Sequence, residues 1–173
     1  MLSSLGQLAE QRGQEDKALG LYEAGRRMAR MHGNRMDEAL LLLDLGRMAG
    51  RRGEFERTRE LLGRADSIGR DSDVPEMWLV AATCRAAFLE TSVDRLVMEF
   101  DEFESRFSHI GRQELRYWLW RATKLPVHLV EAKRLLDYLV EHAPKEYRES
   151  MLNNVRLNRE IMAAWAEHGE KGG

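Results

Sequence analysis

This 173-residue sequence holds a single cysteine and only three prolines, and no apolar run approaches the length of a membrane span. Each scarcity excludes something. Lone Cys84 rules out an intrachain disulfide and suits a reducing compartment. The longest greasy stretch, Ala39 to Leu45, is already broken by Asp44, far short of the roughly 18 residues a spanning helix needs. Charge of one sign is also lacking. A formal net charge of −2 supplies no global basic field to recruit nucleic acid. The opening MLSSLGQLAEQ has neither the basic region nor the apolar core of a secretion signal. The expectation is a cytoplasmic chain that engages no membrane and no nucleic acid. Helix pattern starts at Leu2 without any lead-in, as in a fragment of a larger protein.

Catalytic signals are equally sparse. His32, His109, His128, His142 and His168 stand apart, with no second histidine or cysteine three or four residues away to complete a metal site. Cys84 has no histidine near it in sequence and falls on a packing face, the place of a structural thiol. GRRGEF lacks the spacing and the lysine of a phosphate-cradling loop. Glu99, Asp101, Glu102 and Glu104 read as one solvated helix face. No cofactor, metal or enzymatic chemistry is implied.

What the chain does have is helical periodicity and an internal repeat. Apolar residues recur at spacings of three and four nearly throughout, and alternating strand patterns are missing. LGQLAEQRG (Leu5–Gly13) returns as LGRMAGRRG (Leu45–Gly53), an offset of 46 − 6 = 40 at the first glycine and 53 − 13 = 40 at the second. Leu21 and Leu61 match at the same offset. A fixed period of this size marks a stacked-repeat architecture.

Glycines, prolines and polar clusters predict helices over 2–12, 15–31, 36–51, 55–69, 76–90, 93–108, 112–123 and 128–142. Turns fall at Gly13, Gly33-Asn34, Gly53, 70–75 and 124–126. Pro75 fits the first position of a helix, where a missing N–H costs nothing. From Pro144 to His168 a short helix and a longer one follow.

Taken in pairs, these helices carry small residues at matching places. In the first pair they are Gly6, Ala18 and Gly25, with bulky Tyr22 between and Gly13 at the turn. In the second they are Gly46, Thr58 and Ala65, with Leu62 and Gly53. Small residues let antiparallel helices approach, and the bulky one fills the gap. This spacing resembles the tetratricopeptide repeat, which places small residues at its eighth, twentieth and twenty-seventh positions, glycine at the fifteenth and a bulky residue at the twenty-fourth. The third repeat aligns Val80, Cys84, Ala87, Leu96, Phe100 and Phe103 with Leu2, Gly6, Ala9, Ala18, Tyr22 and Gly25. In the fourth, Ala132, Leu136 and Pro144 fit, but Trp120 holds a small position. Thr91 and Val127 replace the turn glycines.

The resemblance implies an all-α, right-handed superhelix of four helix pairs (1–34, 35–73, 74–110, 111–144) with a capping segment over 145–168, in one domain spanning 1–173. Met151, Leu152, Val155, Ile161, Met162 and Trp165 would form the cap's buried stripe. The repeat length is similar to that of bacterial multidomain ATPases, kinases and transcription activators, and KEYRESMLNNVRLNREIMAAW (Lys145–Trp165) resembles the C-terminal end of their repeat regions.

In tetratricopeptide proteins the first helix of each pair lines a groove. The resemblance places Gln7, Arg47, Arg85 and Arg121 at one ligand-facing position of that helix. Gln11, Arg51, Leu89 and Leu125 take another, and Lys124 a third. Leu40, Trp78 and Tyr117 at further groove positions would add apolar anchors. Arginine forks suit carboxylates, so the implied partner is an acidic peptide or protein domain. The plainer alternative makes these arginines an ordinary solvated face. A different class of function, an oligomerisation segment without an open groove, is suggested by Leu2, Leu5 and Leu8.

Overall fold

The computed structural model describes residues 2–169. Among them are ten α-helices, a single 3-10 turn and no strand. The chain divides into two compact units, the first ending at Ser92 and the second beginning at Val93.

The first unit is built on a 20-residue step. Its helices are α1 (Leu2–Gln11), α2 (Glu15–Met31), α3 (Arg35–Arg51), α4 (Phe55–Asp71) and α5 (Pro75–Leu89). Residues of positive φ end the first four, at Gly13, Gly33, Gly53 and Asp73, so 33 − 13, 53 − 33 and 73 − 53 all equal 20. The same pair of hydrogen bonds closes each end. Gly13 N–H donates to the Glu10 carbonyl and Gln14 N–H to Ala9. The pattern returns at 33/34, 53/54 and 73/74, the last with Asp73 N–H to Arg70 and Val74 N–H to Gly69. This is the Schellman closure, which satisfies helix-end carbonyls that would otherwise be orphaned. Seventeen helical residues in each of α2, α3 and α4 plus three turn residues make the step. Asn34 caps α3 by accepting from Asp37 N–H at 3.1 Å, and Pro75 opens α5.

Each helix packs on the next, and α3 also touches both α1 and α5. The sequence repeat appears here as a repeated lock. A β-carbon added to Gly6 of α1 would lie 2.3 Å from the Tyr22 ring of α2, and one on Gly46 of α3 would lie 2.5 Å from Leu62 of α4. Tyr22 and Leu62 are fully buried, as are Ala18 and Thr58. Gly25 sits where α2 meets Leu2 of α1 and Leu41 of α3. Cys84 is buried in the core.

The second unit contains α6 (Asp94–Phe103), the 3-10 turn Glu104–Arg106, α7 (His109–Thr123), α8 (Pro126–His142), α9 (Lys145–Asn154) and α10 (Arg156–His168). Helix α7 packs on α8, which carries α9 and α10. Phe100, Leu115, Leu119, Leu135, Leu136 and Ile161 form its core. Gln113 donates to Asn158 at 2.8 Å, and Asn158 donates to the Met151 carbonyl at 2.9 Å, tying α7, α10 and α9 together.

Three expectations need correction. The helix predicted over 93–108 stops at Phe103, because Ser108 must be extended to accept Gly111 N–H at 3.0 Å as the cap of α7. Phe107 turns inward, its ring 6.2 Å from that of Phe100. The left-handed turn residues of α5 and α7 are Glu90 and Lys124 rather than Thr91 and Val127. In the terminal helices Ile161 is buried, but its buried companions are Asn158 and Ala164, while Val155 and Met162 are exposed.

Two stability measurements check this geometry. Gly6→Ala should lower stability by about 1–2 kcal/mol, because the stiff Tyr22 ring cannot yield and overpacking outweighs the helix propensity gained. Gly20→Ala on α2, where an added β-carbon meets nothing within 4 Å, should instead raise stability by about 0.5–1 kcal/mol. Denaturant melts in which both variants move the same way would contradict the lock. Separately, Asp73 holds a φ of +52° where the three equivalent turns use glycine. Asp73→Gly should therefore stabilise by up to about 1 kcal/mol, since a left-handed side chain costs roughly that much; a lowered melting temperature would refute the equivalence of the four turns.

Candidate functional site

The residues assigned to a groove fall into three groups. Arg47 and Arg51 stand one turn apart on α3 and reach toward carboxylates on the α1 side. An Arg51 Nη2 donor bonds Glu10 Oε1 of α1, and the other oxygen of Glu10 accepts from the Tyr22 hydroxyl at 3.0 Å. Arg47 Nη1 lies 3.7 Å from Asp44 Oδ1, and Asp44 Oδ2 accepts from Ser3 of α1 at 2.9 Å. The side chains of Arg47 and Arg51 are only 17% and 22% exposed. Burial raises the Tyr22 phenol well above its ordinary range, and the nearby carboxylates of Asp44 and Glu10 push the same way. Tyr22 therefore stays protonated and donates.

Trp78 and Arg85 make the second group, where α5 meets α4. Arg85 Nη2 is 3.2 Å from Asp66 Oδ2. The other Asp66 oxygen accepts from Arg70 Nε at 2.8 Å, and the Arg70 guanidinium lies 4.0 Å over the buried Trp78 ring. Register explains the placement. Helix α5 begins 75 − 35 = 40 residues after α3, so Ala86, not Cys84, stands 40 after Gly46. Arg85 accordingly stands 40 after buried Leu45 and is turned to the α4 side. The third group is in the second unit. Tyr117 is buried, its phenol raised above the ordinary range by burial and then by Glu160 of α10. Arg121 lies 5.3 Å over the Trp118 ring.

What the sequence reading missed are the carboxylates that meet these arginines: Glu10, Asp44 and Asp66. Asp44 had one visible signal, as the lone charge inside ALLLLDL. A further, part-buried cluster draws in Glu104 and His128, which the sequence reads as part of a solvated face and as an isolated histidine. Arg116 of α7 donates to Glu104 Oε1 from Nε at 3.2 Å and from Nη2 at 2.7 Å. Its Nη1 lies 3.1 Å from His128 Nδ1 of α8, and its guanidinium covers the Phe100 ring at 4.4 Å. Against a guanidinium, His128 must be neutral and accept at Nδ1. Burial, and next Arg116, hold its pKa below the ordinary value, with Asp101 and Glu104 opposing.

Among the described residues no group of three or more histidine, cysteine, aspartate or glutamate side chains is placed to hold a metal ion. No described helix is long and apolar enough to cross a membrane. No family model, curated protein or solved structure matches the chain.

His128 makes the second unit sensitive to acid. Its folded pKa is depressed below an unfolded value near 6.5, so the unfolded chain takes the proton first. The stability this neutral histidine contributes is present above pH ~6.5 and is lost as pH falls through the lower folded value. His128→Gln should flatten the pH dependence of the melting temperature below pH ~6.5, leaving the carboxylate-driven loss at lower pH. A variant profile parallel to the wild type down to pH 5 would refute the assignment.

Proposed function

We propose that this chain is a non-enzymatic interaction module of tetratricopeptide type, stacking its helix pairs into a right-handed superhelix and receiving a peptide or partner domain. The reading rests on one observation: the glycine lock at Gly6–Tyr22 recurs at Gly46–Leu62 with the sequence offset of 40. A close-packed two-helix unit repeated in this way presents its first helices side by side, and α3 touches both α1 and α5. The partner surface of this module lies on those first helices around Arg47 and Arg51, whose side chains are part-buried. An acidic partner binds there by displacing Asp44 and Glu10 from the guanidiniums, and its affinity is the surplus over those internal pairs.

Selection from a random displayed-peptide library against the full chain tests the reading. Acidic peptides should be enriched, lose binding at least tenfold to Arg47→Glu, and weaken in roughly 0.5 M salt. Peptides that bind wild type and Arg47→Glu equally would remove the groove from the proposal.

A second reading, self-association, has one observation in its favour. Met28 on α2 is 51% exposed, whereas Ile68, 40 residues on in α4, is 8% exposed. Leu40 and Leu5 are exposed on the same unit. The molar mass in solution separates the two readings, a dimer that Met28→Lys dissociates favouring the second.

A further inference from the structure

On the α2–α4 side of the first unit, away from the carboxylates that engage Arg47 and Arg51, three guanidiniums gather around one carboxylate. Arg64 Nη2 of α4 bonds Glu38 Oε1 of α3 at 2.9 Å, and Arg30 Nε of α2 lies 3.6 Å from that same oxygen. Arg26, one turn before Arg30, is partly buried beside them and makes no hydrogen bond or ion pair of its own among the described residues. The charges that act on it are, in order, Arg64, Glu38, Arg30 and Glu60. Partial desolvation and the neighbouring cations hold the Arg26 guanidinium below its ordinary pKa. Three positive charges thus face one shared carboxylate and a second, exposed one on Glu60. Like charges at short range repel, and the Arg26 donors, which no acceptor among the described residues takes, are solvated and open to an anion.

We propose that Arg26, Arg30 and Arg64 form a binding site for a phosphoryl dianion. A phosphate monoester brings about −1.5 to −2 charges and three acceptor oxygens. That charge more than offsets the single net positive charge that Glu38 and Glu60 leave on the three guanidiniums, and the oxygens offer Arg26 the acceptor it lacks. Planar guanidinium forks bind such oxygens bidentately. A second carboxylate would bring a single charge and two oxygens, and Glu38 already fills that role. The site is independent of the groove on α3, so either can fail without the other.

Thermal melts with inorganic phosphate at pH 7.4, against chloride of equal ionic strength, test the site. For a Kd on the order of 1 mM, 20 mM phosphate should raise the melting temperature by roughly 3–5 °C. Arg26→Met keeps the apolar stem and removes the charge. It should melt above wild type without phosphate, because repulsion is relieved, and should lose most of the phosphate-linked rise. Arg64→Gln supplies an independent loss of that rise. No rise in wild type, or an undiminished rise in Arg26→Met, would overturn the proposal, as would Arg26→Met melting below wild type in chloride. Titrations with an acetyl-Gly-phosphoserine-Gly amide and with glycerol 3-phosphate then distinguish the source. Tighter binding of the first assigns the site to a phosphorylated protein, and tighter binding of the second to a small ester. Binding of neither contradicts it.

Discussion

The first unit depends on two glycines that allow its paired helices to touch. At Gly6 and Gly46 no β-carbon fits against Tyr22 and Leu62, so the spacing within each pair is set by backbone against ring or isobutyl group. Everything around that contact inherits its distance. Ala18 and Thr58 are small and fully buried one turn before the bulky residue. Glu10, one turn after Gly6, is thereby brought within reach of the Tyr22 hydroxyl. A wider spacing would leave a void beside Tyr22, and a buried phenol without its acceptor would carry a desolvation penalty.

Charge pairing is the second organising rule, and it works between helices as well as along them. Glu10–Arg51 joins α1 to α3, Asp66–Arg85 joins α4 to α5, and Glu38–Arg64 joins α3 to α4. Partly buried pairs of this type do more to fix which helices meet, and in what rotation, than to add net stability. That choice matters because α3 meets α1, α2, α4 and α5 at once.

The helices were largely legible in the sequence, and the site was much less so. Gly13, Gly33 and Gly53 announce their turns because glycine is the residue that reaches positive φ without strain, and Pro75 announces the start of α5. Glu90 and Lys124 adopt the same conformation with ordinary side chains, which no composition signal betrays, and the turn positions there slip by one to three residues. The groove assignment was more fragile. Counting the third repeat from Cys84 instead of Ala86 is a slip of two residues, and two residues rotate a helix by about 200°. That rotation separates a side chain on the α1 side from one on the α4 side, and Arg85 fell to the latter. Side-chain partners such as Glu10 and Asp66 could not be foreseen because they come from neighbouring helices 41 and 19 positions away.

The uniform step of the first unit has a consequence for how such a chain can change length. Seventeen helical residues and three in the turn bring the next helix back with a usable packing face, and forty residues bring back the glycine lock as well. Deleting one residue inside α2, α3 or α4 would swing every later face by about 100°, out of phase with the neighbours on both sides. Insertions and deletions are therefore tolerable in paired 40-residue modules, the period at which the glycine lock recurs, or after Leu89, where the step is already broken. The array is quantised, and its natural currency of growth is the module rather than the residue.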